Sequence, residues 1–142
     1  MMTLVIARII TAAAEKKARQ IGQPMNISVV DEGGNLVHHV RMDEAWMGSI
    51  DIAIDKAFTA TAFKMTTKEL FKKAQAGGPF FGIQHSNHGR ISTLPGGIPL
   101  EVDGRLVGAV GVSGGTGEQD HSVAAAGAAA IDGRRLRALQ GA

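Results

Sequence analysis

The sequence predicts a single α+β domain: a mainly antiparallel, five-stranded sheet flanked by helices on both faces. Three observations carry that expectation. Apolar residues recur at helical spacing near both ends and in the middle of the chain. Short β-rich runs are separated by turn formers at hairpin distance. Repeating βαβ units, which would call for a parallel sheet, are absent.

The elements follow in order. Ile6, Ile10, Ala14, Ala18 and Ile21 share one face of a helix over about Thr3–Ile21, stopped by Gly22 and Pro24. Met25–Val30 and Leu36–Met42 flank Asp31-Glu32-Gly33-Gly34-Asn35, a turn-rich stretch that makes them a hairpin. A second helix spans about Ser49–Lys64, its Ala53, Ala57 and Ala60 forming a small-residue stripe interrupted by Lys56. Thr66-x-x-Glu69 is a capping box for a short third helix to about Gln75, ended by Gly77-Gly78-Pro79. Phe80–Asn87 reads as a loop or lid. Arg90–Thr93, Gly97–Val102 and Leu106–Val112 read as strands, the last two joined by an Asp103-Gly104 turn. Thr116-x-x-Gln119 opens an alanine-rich final helix over about Gly117–Leu139, a surface suited to self-association. The predicted order is α-β-β-α-α-β-β-β-α.

At 142 residues, 44% hydrophobic and 20% charged, the chain fits one domain over residues 1–142. A net charge of +2, basic residues scattered except for Arg134, Arg135 and Arg137, and only 4% aromatics argue against a nucleic-acid partner. Cysteine and tyrosine are both missing, which excludes disulfides, thiolate catalysis, and ligation of a metal or haem iron by either residue. Arg8 interrupts the apolar start of the chain, and the run Val123–Ile131 is too short to cross a bilayer. A cytoplasmic protein without a membrane partner is the expectation.

The best candidate for a site is the glycine-rich elbow Gly111-Val112-Ser113-Gly114-Gly115-Thr116-Gly117, which follows a strand and opens a helix. Glycines let backbone approach a ligand closely, and a helix start offers unpartnered N–H groups, so Gly114, Gly115 and Thr116 form a candidate anion nest. The dinucleotide pattern G-x-G-x-x-G is absent, which excludes a Rossmann reading. Asp120 and His121 follow in the first helical turn, Arg41 and Asp43 lie at the end of the second strand, and Lys56 sits on the second helix. Lys56, Asp43, Asp120 and His121 thus supply acid–base groups, and elbow N–H groups could serve a developing oxyanion, as a cofactor-independent lyase, hydratase or isomerase of a small oxygenated metabolite requires. His38 and His39 are adjacent on a strand and face opposite ways, so they cannot share a ligand. His85 and His88 lie three apart in a loop; no residue set is assigned to a metal.

Several motifs run in order along the chain: Val29-Val30-Asp31-x-Gly33-Gly34, Arg41-Met42-Asp43-x-Ala45, Lys56-Ala57-Phe58-Thr59-Ala60, Gly96-Gly97-Ile98-Pro99 and Gly108–Gly115 with Glu118-Gln119-Asp120. Together they resemble the GlcG/HbpS family, a domain that also forms the C-terminal part of PduO-type cobalamin adenosyltransferases. The resemblance implies a five-stranded antiparallel sheet flanked by helices, homo-oligomers, and a haem- or small-molecule-binding protein, an accessory of small-metabolite catabolism. It also implies an axial histidine on the first helix in haem-binding members. Thr3–Ile21 contains none, so haem here would need His85, His88, His121 or a methionine, or a ligand shared between subunits. The glycine elbow or Arg41 could then receive a propionate.

Overall fold

Thr3 accepts a hydrogen bond from the Ile6 N–H and opens α1 (Leu4–Ile21), which closes on Gly22 in the left-handed conformation. The chain, a computed structural model that describes residues 1–140, continues through β1 (Asn26–Asp31), β2 (Leu36–Arg41), α2 (Gly48–Phe63), α3 (Thr67–Lys73), β3 (Gly97–Val102), β4 (Arg105–Ser113), α4 (Gly117–Ala129) and α5 (Gly133–Gln140). Asp31 Oδ1 accepts from the Gly33 and Asn35 N–H groups and so holds the β1–β2 turn.

The described residues form one antiparallel sheet of four strands in the order β2-β1-β4-β3, which corrects the five-stranded expectation. Arg90–Thr93 is the segment that is not a strand. Its β-branched composition suits a strand, but Ile91 is buried and the Ser92 N–H donates to Thr59 Oγ1 on α2 at 3.0 Å. Local backbone groups are thus spent on a helix side chain rather than on a ladder, and Pro95 with Gly96 then redirects the chain into β3. The second difference is at the C-terminus. The long final helix is broken at Ala130–Asp132, because Asp132 Oδ1 accepts the Arg135 N–H and starts α5 anew.

Strand alternation divides the core between the two faces. Ile27, Val29, Val110 and Val112 pack against Ile6, Ile10, Ala14 and Ala18 of α1 and Val123 and Ala124 of α4. On the opposite face, Val30 and Ala109 meet Ala57 and Ala60 of α2 in a thinner cluster. The apolar face of the alanine-rich α4 is therefore used inside the protomer, against α1. α2 lies over β4, β1 and β3 and barely reaches β2.

Between α3 and β3 the chain runs through successive turns, including single-turn 3₁₀ helices at Ile83–His85 and Asn87–Gly89, as a loop reading requires. None of the helices among the described residues is long and apolar enough to cross a membrane.

Candidate functional site

The elbow after β4 exists because glycine permits it. Gly114 has φ 152°, and a Cβ there would meet the Pro24 carbonyl oxygen at 2.6 Å and Met25 Sδ at 3.1 Å. Gln23 Nε2 donates to the Gly114 carbonyl at 2.9 Å and ties the elbow to the end of α1. Thr116 and Gln119 then close a reciprocal capping box, the Thr116 N–H donating to Gln119 Oε1 and the Gln119 N–H to Thr116 Oγ1. The Gly115 N–H donates to Asp120 Oδ1 at 2.8 Å. Two of the elbow donors that the sequence offers to an anion are thus engaged by the chain's own side chains.

Asp120 and Lys56 are brought together. Lys56 Nζ donates to Asp120 Oδ2 at 2.9 Å and to the Val112 carbonyl at 2.9 Å, with the two side chains 1% and 5% exposed. The arrangement fastens α2 to β4 and to the start of α4 through one ammonium. Burial pulls the Lys56 pKa below its ordinary value, and the Asp120 charge and hydrogen bond oppose that shift. Gly96 lies over the pair: at φ +131° a Cβ would press on the Val112 carbonyl and reach Asp120 Cβ and Lys56 Nζ at 3.0 Å each. The pair is buried in this geometry and joins α2, β4 and the start of α4.

The other predicted residues lie apart from it. Asp43 lines a cavity of about 340 Å³ with Ala18, Arg19, Gly22, Gln23, Pro24 and Met42, on one side of the α1 terminus. Thr116 lines another of about 370 Å³ with Ile21, Glu118, Gln119 and Ser122. Arg41 is exposed and donates through Nε to the Ala45 carbonyl at 3.3 Å. His121 is half-buried with its Nδ1 unpartnered among the described residues, and burial, with Lys68 nearby, lowers its pKa toward a neutral ring. His85 and His88 are exposed on the turn segment. Among the described residues, no group of three or more His, Asp or Glu could hold a metal ion, so His85, His88 and His121 do not converge.

His38 and His39 do face opposite ways: His38 Nδ1 meets Thr11 Oγ1 of α1 at 3.1 Å, whereas His39 lies on the α2 side. The latter belongs to a chain of polar groups that the sequence reading missed. Asn26 Nδ2 donates to the Trp46 carbonyl at 2.9 Å, which leaves Asn26 Oδ1 to accept from His39 Nε2–H at 2.9 Å. His39 Nδ1 must then accept from the Ser28 hydroxyl at 2.6 Å. Burial, reinforced by His38, lowers the His39 pKa and favours this neutral form. Polar residues alternating along β1, Asn26 and Ser28, were the available signal.

Three relatives place the chain. A Citrobacter freundii protein, described as an uncharacterized 15.0 kDa protein in the dhaT-dhaS intergenic region, is 43% identical over 123 residues, 87% of each chain. The corrinoid adenosyltransferase PduO of Salmonella typhimurium is 38% identical over 123 residues, 87% of this chain but only 37% of PduO. A crystal structure of a PduOC–haem complex superposes with a TM-score of 0.84 at 38% identity, over 87% of this chain and 90% of that one. The model of the family described as haem degrading protein HbpS-like matches residues 2–129, and the chain belongs to that family.

Proposed function

We propose that this protein binds haem, with the iron ligand supplied by His85 or His88 on the turn segment between α3 and β3. The donor set supports this placement. The cavities at the elbow are lined by no histidine, cysteine and tyrosine are absent from the chain, and His38 and His39 are engaged inside the fold; His121 keeps an unpartnered Nδ1 but is half-buried, and is the competing ligand. The turn segment offers two exposed imidazoles, with Phe80 38% and Phe81 68% exposed beside them. Exposed aromatic rings are apolar surface in search of a flat apolar partner.

Lys72 and Lys73 end α3 at the base of this segment, and the Lys73 ammonium stands 5.6 Å from the centre of the Phe80 ring. They supply positive charge for the two propionates, in place of the elbow and Arg41. The Phe80 N–H donates to the Lys73 carbonyl at 2.9 Å, which holds cation and ring together. When bound, haem supplies a redox-active iron; the residues named here bind it, orient it and set its charge environment. The haem held by the PduOC relative supports the reading, and the exposed pair of imidazoles carries it.

The test is a hemin titration of purified protein followed at the Soret band. Saturation at a fixed ratio of haem to chain, lost in His85→Ala or in His88→Ala and retained in His121→Ala, supports the assignment. Loss only in His121→Ala moves the ligand to the start of α4.

A further inference from the structure

Asn87, His88 and Gly89 stand in succession in the left-handed region of backbone space, at φ 52°, 58° and 76°. Asn, His and Gly tolerate that region better than most residues, but L residues visit it singly and not in runs. The Gly89 N–H donates to the Ser86 carbonyl at 3.0 Å and the Arg90 N–H to the Asn87 carbonyl at 3.1 Å. Asn87 Nδ2 donates to Ser86 Oγ at 3.1 Å, and Ser86 Oγ donates to the Ile83 carbonyl at 2.6 Å. These are contacts among neighbours in sequence, most of them exposed. A backbone of this kind persists where its surroundings over-determine it.

The hold from outside is Arg90. Its guanidinium lies 3.7 Å from the centre of the Phe58 ring, stacked on the side of α2. Asp55, one turn earlier on α2, lies within reach of the Arg90 charge. The residues that follow are fixed to the same helix, since Ile91 is buried and the Ser92 N–H donates to Thr59 Oγ1 at 3.0 Å. Phe58 is itself pinned from the other side by the β1–β2 turn, where a Cβ on Gly34 would meet its ring at 2.8 Å. One line of contact thus runs from the β1–β2 turn through Phe58 and Arg90 to the left-handed turn that carries His88.

We propose that His88, and not His85, is the iron ligand, and that Arg90 is its positioning residue, clamping the chain onto Phe58 two residues after the imidazole and so holding the left-handed turn. The ligand role rests on the haem reading given above; the clamp does not. His85 ends a 3₁₀ turn and has no left-handed backbone. His88 carries the constrained conformation, and constrained backbone gathers at ligand clamps. A ligand fixed before binding loses less freedom when it binds, and the gain is read as slower release.

The experiment has two arms on the full chain, with circular dichroism on every variant to confirm folding. In the haem-free arm, backbone hydrogen exchange is read at Gly89. Arg90→Ala speeds it at least tenfold and leaves exchange in β1 and β4 unchanged. Phe58→Leu does the same, the double variant adds nothing further, and Arg90→Lys, which keeps a cation over the ring, restores part of the protection. Exchange at Gly89 that ignores Arg90→Ala, or two substitutions whose effects simply add, overturns the clamp. In the second arm, hemin is titrated at the Soret band and its release into excess apomyoglobin is timed. His88→Gly, which keeps the left-handed backbone without the imidazole, abolishes the saturable band, and His85→Ala retains it. Arg90→Ala speeds release at least tenfold, with Arg90→Lys in between. A band that survives His88→Gly or disappears in His85→Ala overturns the ligand assignment, and a release rate indifferent to Arg90→Ala overturns the positioning role. A wild type with no saturable band overturns the haem reading and the ligand role with it, and the clamp is then decided by Gly89 exchange alone.

Discussion

At the scale of the residue, Lys56–Asp120 is the buried ion pair among the described residues. Removing one member of a buried pair strands the other charge. Asp120→Asn is therefore expected to lower unfolding free energy by about 3–5 kcal/mol, whereas Lys56→Met with Asp120→Leu costs much less; urea denaturation measures both. His39 and His121 give the pH dependence. Both pKa values lie below 6.5 in the folded state, so the unfolded chain binds more protons in the interval beneath 6.5. Stability is fully present above that pH and is lost as pH falls through the folded values. Melting temperature is expected to drop on acidification below pH 6.5, and less steeply in His39→Gln. The sequence marked Lys56 as an interruption in a small-residue stripe and Asp120 as a first-turn acid. Their partnership was not legible, because 64 residues separate them and only the packing of α2 on β4 joins them.

Elements were legible where local chemistry decides them. Thr3, Thr66 and Thr116 each cap a helix through a side-chain oxygen that accepts a backbone N–H, and the Asp31 turn joins β1 to β2. Elements failed where a tertiary contact overrode composition: Arg90–Thr93 looks like a strand, but Thr59 takes its backbone; the alanine run looks continuous, but Asp132 restarts it. The glycine doublet before β3 shows the same dependence on neighbours. Gly96→Ala is expected to destabilise by more than about 2 kcal/mol, since it combines strain at positive φ with a clash over the buried ion pair. Gly48→Ala, at a helix start where a Cβ meets nothing within 4 Å, is expected to be neutral or slightly stabilising. Thermal unfolding of the two variants side by side checks the contrast.

At the scale of the molecule, the α+β class and the family were legible because hairpin spacing and five ordered motifs run nearly the length of the chain. The candidate site was less so. Asp43, Lys56 and Asp120 all fall within the ordered family motifs and invite an acid–base reading, yet the fold buries two of them in each other's company and leaves Asp43 in a separate cavity. Whether a histidine is free for a ligand depends on strand register and on which nitrogens the fold has already engaged. That sorting leaves His85 and His88 exposed and His121 half-buried with an unpartnered Nδ1. The most direct test is the hemin titration, run on wild type, His85→Ala, His88→Ala and the double variant. A saturable Soret band abolished by removing one or both of these imidazoles is the predicted result. Weak, non-saturating absorbance in the wild type, or a band unchanged in the double variant, contradicts the account.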